Sequence, residues 1–174
     1  MQVKGETSVN KLIMLFVFDK MESAISERIL VDICSSSNEW LNYMDCVGLI
    51  PTLISDGFIC EISTSEDPLY TITPEGRETL ANFYINIPRS QREDISKFIK
   101  KNSSRFRIKQ DCKSDYYQNK DGTYTVFLKI LAPVQPMLEL KFVVPDKKTA
   151  NVIYKKWEDK ALELYSVVYE TLAD

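Results

Sequence analysis

The residues with the clearest chemical potential are three basic side chains, Arg105, Arg107 and Lys109, which alternate with other residues over 105–112. An alternation of period two is typical of a β-strand, because successive side chains of a strand point to opposite faces. We therefore expect a strand that presents these cations on one face. Such a row is a candidate anion-binding platform for RNA, DNA or the acidic half of a second subunit. The alternative is a solvated face that needs no ligand.

Catalytic and metal chemistry have little support in the sequence. The chain contains no histidine, which removes the commonest general base, the commonest metal ligand and the Ser/His and Cys/His dyads. Its five glycines are scattered and form no phosphate-binding loop. The one group of polar and aromatic residues that could take part in acid–base chemistry is Asp115 with its neighbours Tyr116 and Tyr117. We predict a non-enzymatic protein with no cofactor and no bound metal.

The same tyrosines, with Tyr124 and Phe127, cluster around a predicted hairpin. Aromatic side chains on a sheet can stack nucleic-acid bases, as they do in many RNA-binding domains. More often such residues pack against one another across neighbouring strands. The sequence leaves both interpretations open.

Cysteine usage and hydropathy indicate a cytoplasmic protein. The four cysteines show no CxxC spacing and lie within or beside apolar patterns, so we expect buried free thiols. No apolar run approaches the length of a membrane span, and the N-terminus lacks the features of a signal peptide. We predict no membrane association.

Charge divides the chain into two modules. Residues 1–88 carry 5 Lys and Arg against 13 Asp and Glu, whereas residues 89–174 carry 17 against 12. This asymmetry predicts an N-terminal domain over 1–88 and a C-terminal domain over 89–174.

The N-terminal module shows three helical patterns followed by two short strands. The first pattern covers about 9–20 and is apolar nearly all round, which predicts a helix that is buried or lies partly in a dimer interface. Residues 23–25 are expected to form a linker, Ser26 opens the second helix, and Asp56-Gly57 ends the third. Strands are predicted over 60–63 and 69–72, and Thr73-Pro74 opens a further helix. Three helices and a two-stranded wing are the order of a winged helix-turn-helix, whose third helix normally enters the DNA major groove.

The C-terminal module combines a sheet with helices. Ser90 to Glu93 has the form of a capping box that opens a helix to about Lys101. Strands over 105–112, 123–131 and 137–144 follow through short turns, which predicts an antiparallel meander. Asn119 to Gly122 is predicted to form the first of these turns, with Asp-Gly at its tip, and Pro133 and Pro136 flank the second connection. Asp146 caps a long helix over about 147–172, which ends the chain. The predicted fold class is α+β, a winged helix-turn-helix followed by a helix, a three-stranded meander and a long C-terminal helix.

The third helix lacks the chemistry of a DNA-reading helix. Residues 21–76 contain Arg28 as their one basic residue against ten acidic residues, which disfavours contact with phosphates. If DNA is bound, the positions expected to meet it are Asp45, Gly48, Thr52 and Ser55 on the third helix, with cationic help from Lys11, Lys20 and Arg77.

Excess apolar residues in the C-terminal module predict a homodimer. Phe127 and Leu131 point away from the core face of their strand, and the apolar stripe of the last helix is longer than the sheet it covers. The candidate dimer contacts are Phe127, Leu131, Val167, Val168 and Leu172.

Several segments of the chain resemble a bacterial family of winged-helix proteins of unknown function, usually labelled transcriptional regulators. The residues that carry the resemblance are 11–15, 53–59, Tyr70 to Gly76, Asp115 to Tyr124, and 128–131. The Tyr-Tyr-Gln-Asn-Lys-Asp-Gly segment is more specific to this family than Tyr-Thr-Ile-Thr-Pro-Glu-Gly, which is similar in many winged-helix proteins. The resemblance implies an N-terminal winged helix, a C-terminal sheet-and-helix domain and a dimer, and it brings no catalytic residues.

Two functions follow from these observations. The leading hypothesis is a dimeric, non-enzymatic transcriptional regulator of the winged-helix type. The alternative is a protein-interaction module that kept the winged-helix scaffold and lost DNA binding, which the acidic third helix and wing favour.

Overall fold

The computed structural model describes residues 4–64, 67–132 and 135–173. Its fold is of the mixed α+β class, and the described residues form six α-helices and two three-stranded antiparallel sheets. Contacts group the chain into two compact units, residues 1–104 and residues 105–174. The boundary predicted between 88 and 89 coincides with the start of the fifth helix, whereas the contacts divide the chain within that helix.

Helix α1, Lys4–Met21, is the buried helix of the N-terminal unit. Its residues from Leu12 to Phe18 are all buried, because apolar side chains lie on every side of the helix. The sequence analysis predicted this burial, but α1 begins at Lys4, before the predicted start near Val9.

Helix α2, Glu27–Val31, continues into a π-helical turn, Asp32–Ser36, and helix α3 covers Tyr43–Ser55. The Ser26 side chain accepts a hydrogen bond from the Ile29 amide at 3.4 Å, which confirms the predicted cap. At the other end of the segment, Gly57 has a φ of 76°, the left-handed conformation that the predicted glycine stop requires.

A small sheet lies beside these helices. Strand β1, Ile25–Ser26, pairs with β3, Leu69–Ile72, which also pairs with β2, Ile59–Ile62. The two predicted strands are confirmed, with β2 shifted by one residue, whereas Ile25 was expected in a linker. Ser65 and Glu66, in the turn between β2 and β3, lie outside the described residues.

Helix α4, Pro74–Phe83, is tied to the base of this sheet. Thr73 caps the helix by accepting the Gly76 amide at 3.0 Å, and its hydroxyl donates to the Gly57 carbonyl at 2.7 Å. Gly76 packs so closely against the backbone of Phe58 that an added Cβ would overlap the Phe58 carbonyl oxygen. The predicted cap and proline start are therefore confirmed, and glycine is required one turn later.

Helix α5, Arg89–Asp111, overturns two predictions. It begins one residue before Ser90, so Ser90 is not its cap, and it continues far beyond Lys101. The strand expected over 105–112 is wrong, because Arg105 to Asp111 are the last turns of α5. Ile95, Ile99 and Phe106 are buried at helical spacings, so burial with a period of 3.6 continues where the basic residues alternate with a period of two.

The C-terminal unit is a meander covered by one helix. Strands β4, Cys112–Gln118, β5, Tyr124–Ile130, and β6, Leu138–Val144, pair in chain order, and the predicted meander is confirmed with a different first strand. The predicted turn before β5 is also confirmed, since the Gly122 amide donates to the Asn119 carbonyl at 3.1 Å. Pro133, expected to flank the next connection, lies outside the described residues.

Helix α6, Lys147–Ala173, packs on one face of this sheet, and Asp146 caps it as predicted by accepting the Thr149 amide at 2.9 Å. Trp157 is buried and donates from its indole nitrogen to the Lys129 carbonyl at 3.0 Å. Burial of the apolar stripe stops at Ala161, and Leu164 and Leu172 are exposed. The stripe is therefore longer than the surface it covers, as expected.

Candidate functional site

The outward side of α3 is open and uncharged. Cys46, Leu49, Ile50 and Leu53 face the core. The exposed residues, which we name the α3 surface, are Tyr43, Met44, Gly48, Pro51, Thr52 and Ser55. Met44 is 75% exposed and Tyr43 57%, so the surface exposes two large, mostly apolar side chains to solvent.

Asp45 is turned away from this surface. Its carboxylate accepts hydrogen bonds from the side-chain amides of Asn42, at 2.6 Å, and Asn10, at 3.2 Å. Asn42 in turn caps α3 by accepting the Asp45 amide at 2.8 Å. Gly48, Thr52 and Ser55 occupy the outward positions predicted for them, whereas Asp45 belongs to the capping network of the helix.

The three cations expected to help α3 meet DNA are paired with carboxylates. Lys11 Nζ lies 2.7 Å from Asp56, Lys20 Nζ lies 3.4 Å from Asp19, and Arg77 also forms an ion pair with Asp19. Exposed ion pairs contribute little stability. Their electrostatic consequence is larger, because two carboxylates offset most of the three positive charges that would otherwise neutralise DNA phosphates.

The hairpin of β2 and β3 adds no positive charge. Strands β2 and β3 contain no lysine or arginine, and the exposed residues of β2 are Cys60, Glu61 and Ile62. Burial, with a smaller contribution from Glu61, raises the pKa of Tyr70. The turn between β2 and β3 contains two acidic residues in the sequence, Glu66 and Asp67. Asp67 is exposed, and Glu66 lies outside the described residues.

The predicted anion-binding platform has a different geometry from that expected. Because the segment is helical, Arg105 and Lys109 lie one turn apart on one side of α5, and Arg107 lies on another side. Arg105 and Lys109 border a hollow of about 330 Å³, together with Glu158 and Asp159 of α6. Lys109 Nζ lies 3.7 Å from Glu158. The three cations therefore do not share one face, and two of them lie beside carboxylates.

The five candidate dimer contacts occupy two places in the C-terminal unit. Phe127 is half-buried on the sheet face opposite α6, where Lys129 Nζ lies 4.8 Å from the centre of its ring. Leu131 directly follows β5 and is also half-buried. On α6, Val167 is 52% exposed and Leu172 81%, and Val168 is half-buried.

The tyrosines beside the hairpin form a hollow of about 550 Å³. The Tyr116 ring packs edge-on against Tyr154, with ring centres 5.8 Å apart, and 6.2 Å from Tyr124. Cross-strand packing therefore accounts for Tyr116 and Tyr124. Tyr154 and Lys147, which also line the hollow, were missed because α6 supplies them from a distant part of the chain.

A second hollow that the sequence analysis did not predict lies along the first turns of α5. Its volume is about 350 Å³, and it is lined by Tyr84, Arg89, Arg92, Glu93, Ser96 and Lys97. The signal for it was present, because residues 89, 92, 93, 96 and 97 recur at the spacing of one helix face.

Three of the four cysteines are buried and free, as predicted, but Cys60 is exposed on β2. A hydrogen bond with Cys46, together with burial, raises the pKa of the Cys34 thiol. Burial, with a smaller contribution from Asp111, raises the pKa of Cys112 to about 11. The prediction of buried thiols is wrong for Cys60, because it lies on the solvent side of its strand.

Within the described ranges, no helix is long and apolar enough to cross a membrane. The same residues contain no group of three or more cysteine, aspartate and glutamate side chains that could hold a metal ion.

Comparison with known proteins places the chain in a family. Residues 10–172 match the family model described as a domain of unknown function, DUF4364, and the chain belongs to this family. No curated protein and no solved structure matches the chain. The family of unknown function is thus confirmed, and its link to transcriptional regulation stays a prediction.

Proposed function

We propose that the protein is a non-enzymatic regulatory protein of the winged-helix type, that its α3 surface binds a partner protein rather than DNA, and that it acts as a homodimer. The observation that carries the proposal is the chemistry around α3. Its outward side is uncharged, and the nearest predicted cations are paired with carboxylates.

The winged-helix part of the proposal rests on the order and pairing of the elements. Helices α1, α2 and α3 precede the hairpin of β2 and β3, and the short β1 between α1 and α2 pairs with β3. This is the arrangement in which a third helix is presented to a binding partner beside a wing.

The α3 surface suits a protein partner. Tyr and Met are enriched at protein interfaces, where they provide large contact areas. Gly48 has open space around it, so a partner can approach the α3 backbone closely. A DNA-reading helix would instead offer arginine, lysine, asparagine or glutamine to base edges and phosphates.

A DNA-binding transcriptional regulator is the second candidate. It is favoured by the exposure of Gly48, Thr52 and Ser55 on α3, the element that enters the major groove in DNA-binding winged helices. Against it stands the scarcity of free cations, since phosphate neutralisation supplies most non-specific affinity.

Fluorescence anisotropy with random-sequence duplex DNA, measured across a salt series, tests the choice between the two candidates. Our proposal predicts no binding below about 100 µM protein, weaker than ordinary non-specific DNA binding. Micromolar binding that weakens steeply with salt would contradict it. An Arg105→Glu and Lys109→Glu variant would then show whether the C-terminal cations are responsible.

The dimer is proposed to form through the second half of α6. Leu164 and Leu172 are exposed on the side of α6 that Ala150, Trp157 and Ala161 bury against the sheet, and Val167 is exposed beside them. An exposed apolar stripe that continues a buried one is the pattern of a helix shared with a second subunit.

Sedimentation equilibrium tests the dimer. Val167→Glu together with Leu172→Glu is expected to convert the dimer to a monomer, because two charges would be buried in the interface. Glu170→Lys, a charge change in the same turns, is the matched control and is expected to leave the dimer intact. A wild-type monomer at about 100 µM would refute this part of the proposal.

A further inference from the structure

The hollow along the first turns of α5 combines three positive side chains with a single carboxylate. Arg89, Arg92 and Lys97 line it together with Glu93, and Ser96 adds a hydroxyl group. Glu93 is engaged by Arg89, whose Nε lies 2.8 Å from its carboxylate. Among the described residues, two positive charges at the hollow therefore remain without a neutralising partner.

Arg92 is held in place by an aromatic ring. Its guanidinium carbon lies 4.3 Å from the centre of the Tyr84 ring, a cation–π distance. Its Nε is shielded from solvent and has no hydrogen-bond partner among the described residues. A buried donor without an acceptor costs free energy, which is recovered if the guanidinium shifts toward the hollow and this N–H donates to a bound oxyanion.

Lys97 lies one turn further along the same side of α5 and is exposed. In the described part of the chain, no carboxylate lies within ion-pair distance of Lys97 or Arg92. This contrasts with Lys11, Lys20 and Arg77, each of which has a carboxylate partner.

The position of the arginines on the helix adds to the excess of positive charge. Arg89 and Arg92 lie in the first turn of α5, which contains no acidic residue. The N-terminal end of a helix carries a partial positive charge, so two arginines there are unfavourable without an anion. An anion in the hollow would interact favourably with the side chains and with the helix end.

We propose that this hollow binds the phosphate group of a small phosphorylated molecule. A phosphate dianion matches the two unneutralised charges, whereas a carboxylate would match one. Guanidinium groups suit phosphate because their N–H donors form a planar fork, and the Ser96 hydroxyl and Lys97 ammonium supply further donors. A hollow of about 350 Å³ is large enough for a small phosphomonoester. This site is separate from the function proposed for α3 and does not depend on it.

Isothermal titration of the full chain at constant ionic strength tests the proposal. The probes are inorganic phosphate and glycerol 3-phosphate. We expect saturable binding of both phosphates. Tighter binding of glycerol 3-phosphate would identify a phosphomonoester site, and equal binding would identify a site for free phosphate.

Three single variants locate the binding. Arg92→Gln is expected to weaken phosphate binding at least about tenfold, because it removes a charge-assisted hydrogen bond. Lys97→Gln is expected to weaken it several-fold, and this exposed position leaves folding unaffected. Lys100→Gln, on the same helix but outside the hollow, is the matched control and should bind like the wild type.

Three results would overturn the proposal. One is the absence of saturable phosphate binding at about 10 mM, and another is binding unchanged in both Arg92→Gln and Lys97→Gln. The third is an equal loss in Lys100→Gln, which would mean that overall positive charge, and not this hollow, attracts the anion.

Discussion

The cations around α3 and the cations at the start of α5 belong to the same unit of the protein, but they face different neighbours. Lys11, Lys20 and Arg77 each face a carboxylate of Asp19 or Asp56. Arg92 faces the ring of Tyr84. Lys97 borders the hollow along the first turns of α5 and has no ion-pair partner among the described residues.

This difference shows that the number of basic residues in a region does not measure its attraction for anions. A cation paired with a carboxylate contributes little to the field that a phosphate experiences, since the two charges nearly cancel at a distance. The region around α3, where the proposed winged-helix fold would place a polyanion, is thus the poorer anion site. The start of α5 is the better one.

The largest effect that we expect is on the free energy of unfolding, from a substitution where α4 packs against the start of β2. Gly76→Ala should destabilise the protein by about 3 kcal/mol, because its Cβ would overlap the Phe58 carbonyl at the base of the β2–β3 hairpin. Gly48→Ala, in open space on α3, should stabilise it by up to about 1 kcal/mol, since alanine favours helix. Urea unfolding of both variants measures the two changes.

Comparison of the two variants distinguishes a glycine that is needed for packing from a glycine on an open surface. Equal changes in the free energy of unfolding would contradict the assignment of Gly76 to the framework and Gly48 to an open binding face.

The second test releases the paired cations. Asp19→Asn together with Asp56→Asn should free Lys11, Lys20 and Arg77 and raise affinity for random duplex DNA about tenfold at low salt. The slope of log affinity against log salt should steepen by as much as about 2.7, or 0.9 for each of three cations. Fluorescence anisotropy across a salt series measures both quantities.

A control for total charge accompanies this variant. Glu61→Gln with Glu78→Gln also removes two negative charges, but these exposed carboxylates are paired with none of the three cations. If the control gains as much DNA affinity as Asp19→Asn with Asp56→Asn, the ion pairs are not what masks the cations.

The smallest effect concerns the exposure of strand β2. Cys60 on β2 is exposed, whereas Cys34, Cys46 and Cys112 are buried. At pH 8, one of the four thiols of the native protein should react rapidly with Ellman's reagent. Cys112, with a pKa of about 11, should stay protonated and unreactive.

Mass spectrometry after partial labelling identifies the modified cysteine. Rapid labelling of Cys34 or Cys112 in the folded protein would show that the N-terminal or C-terminal core is more open than described. Absence of labelling at Cys60 would show that strand β2 is covered.

The elements that the sequence predicted well are those with strong local signals. The caps at Ser26, Thr73 and Asp146 each depend on a side chain and an amide three residues later, so the sequence contains both partners. The turn at Gly122 and the apolar stripe of α6 are likewise local patterns.

The errors arose where a local pattern competed with a longer one. The alternation of Arg105, Arg107 and Lys109 indicated a strand, but the burial of Ile95, Ile99 and Phe106 continues the helix through it. The ion pairs of the candidate site were beyond prediction for another reason. Lys11 and Asp56, or Asp19 and Arg77, are far apart in the chain, and only the tertiary fold brings them together.

The most direct test of the central claim is photo-crosslinking in cells from a reactive amino acid at position 52, in the centre of the α3 surface. Our account predicts a discrete adduct that protease removes and nuclease does not, and that is absent when the same group is placed at exposed position 78. A nuclease-sensitive adduct at position 52 would contradict the account and establish α3 as a nucleic-acid contact.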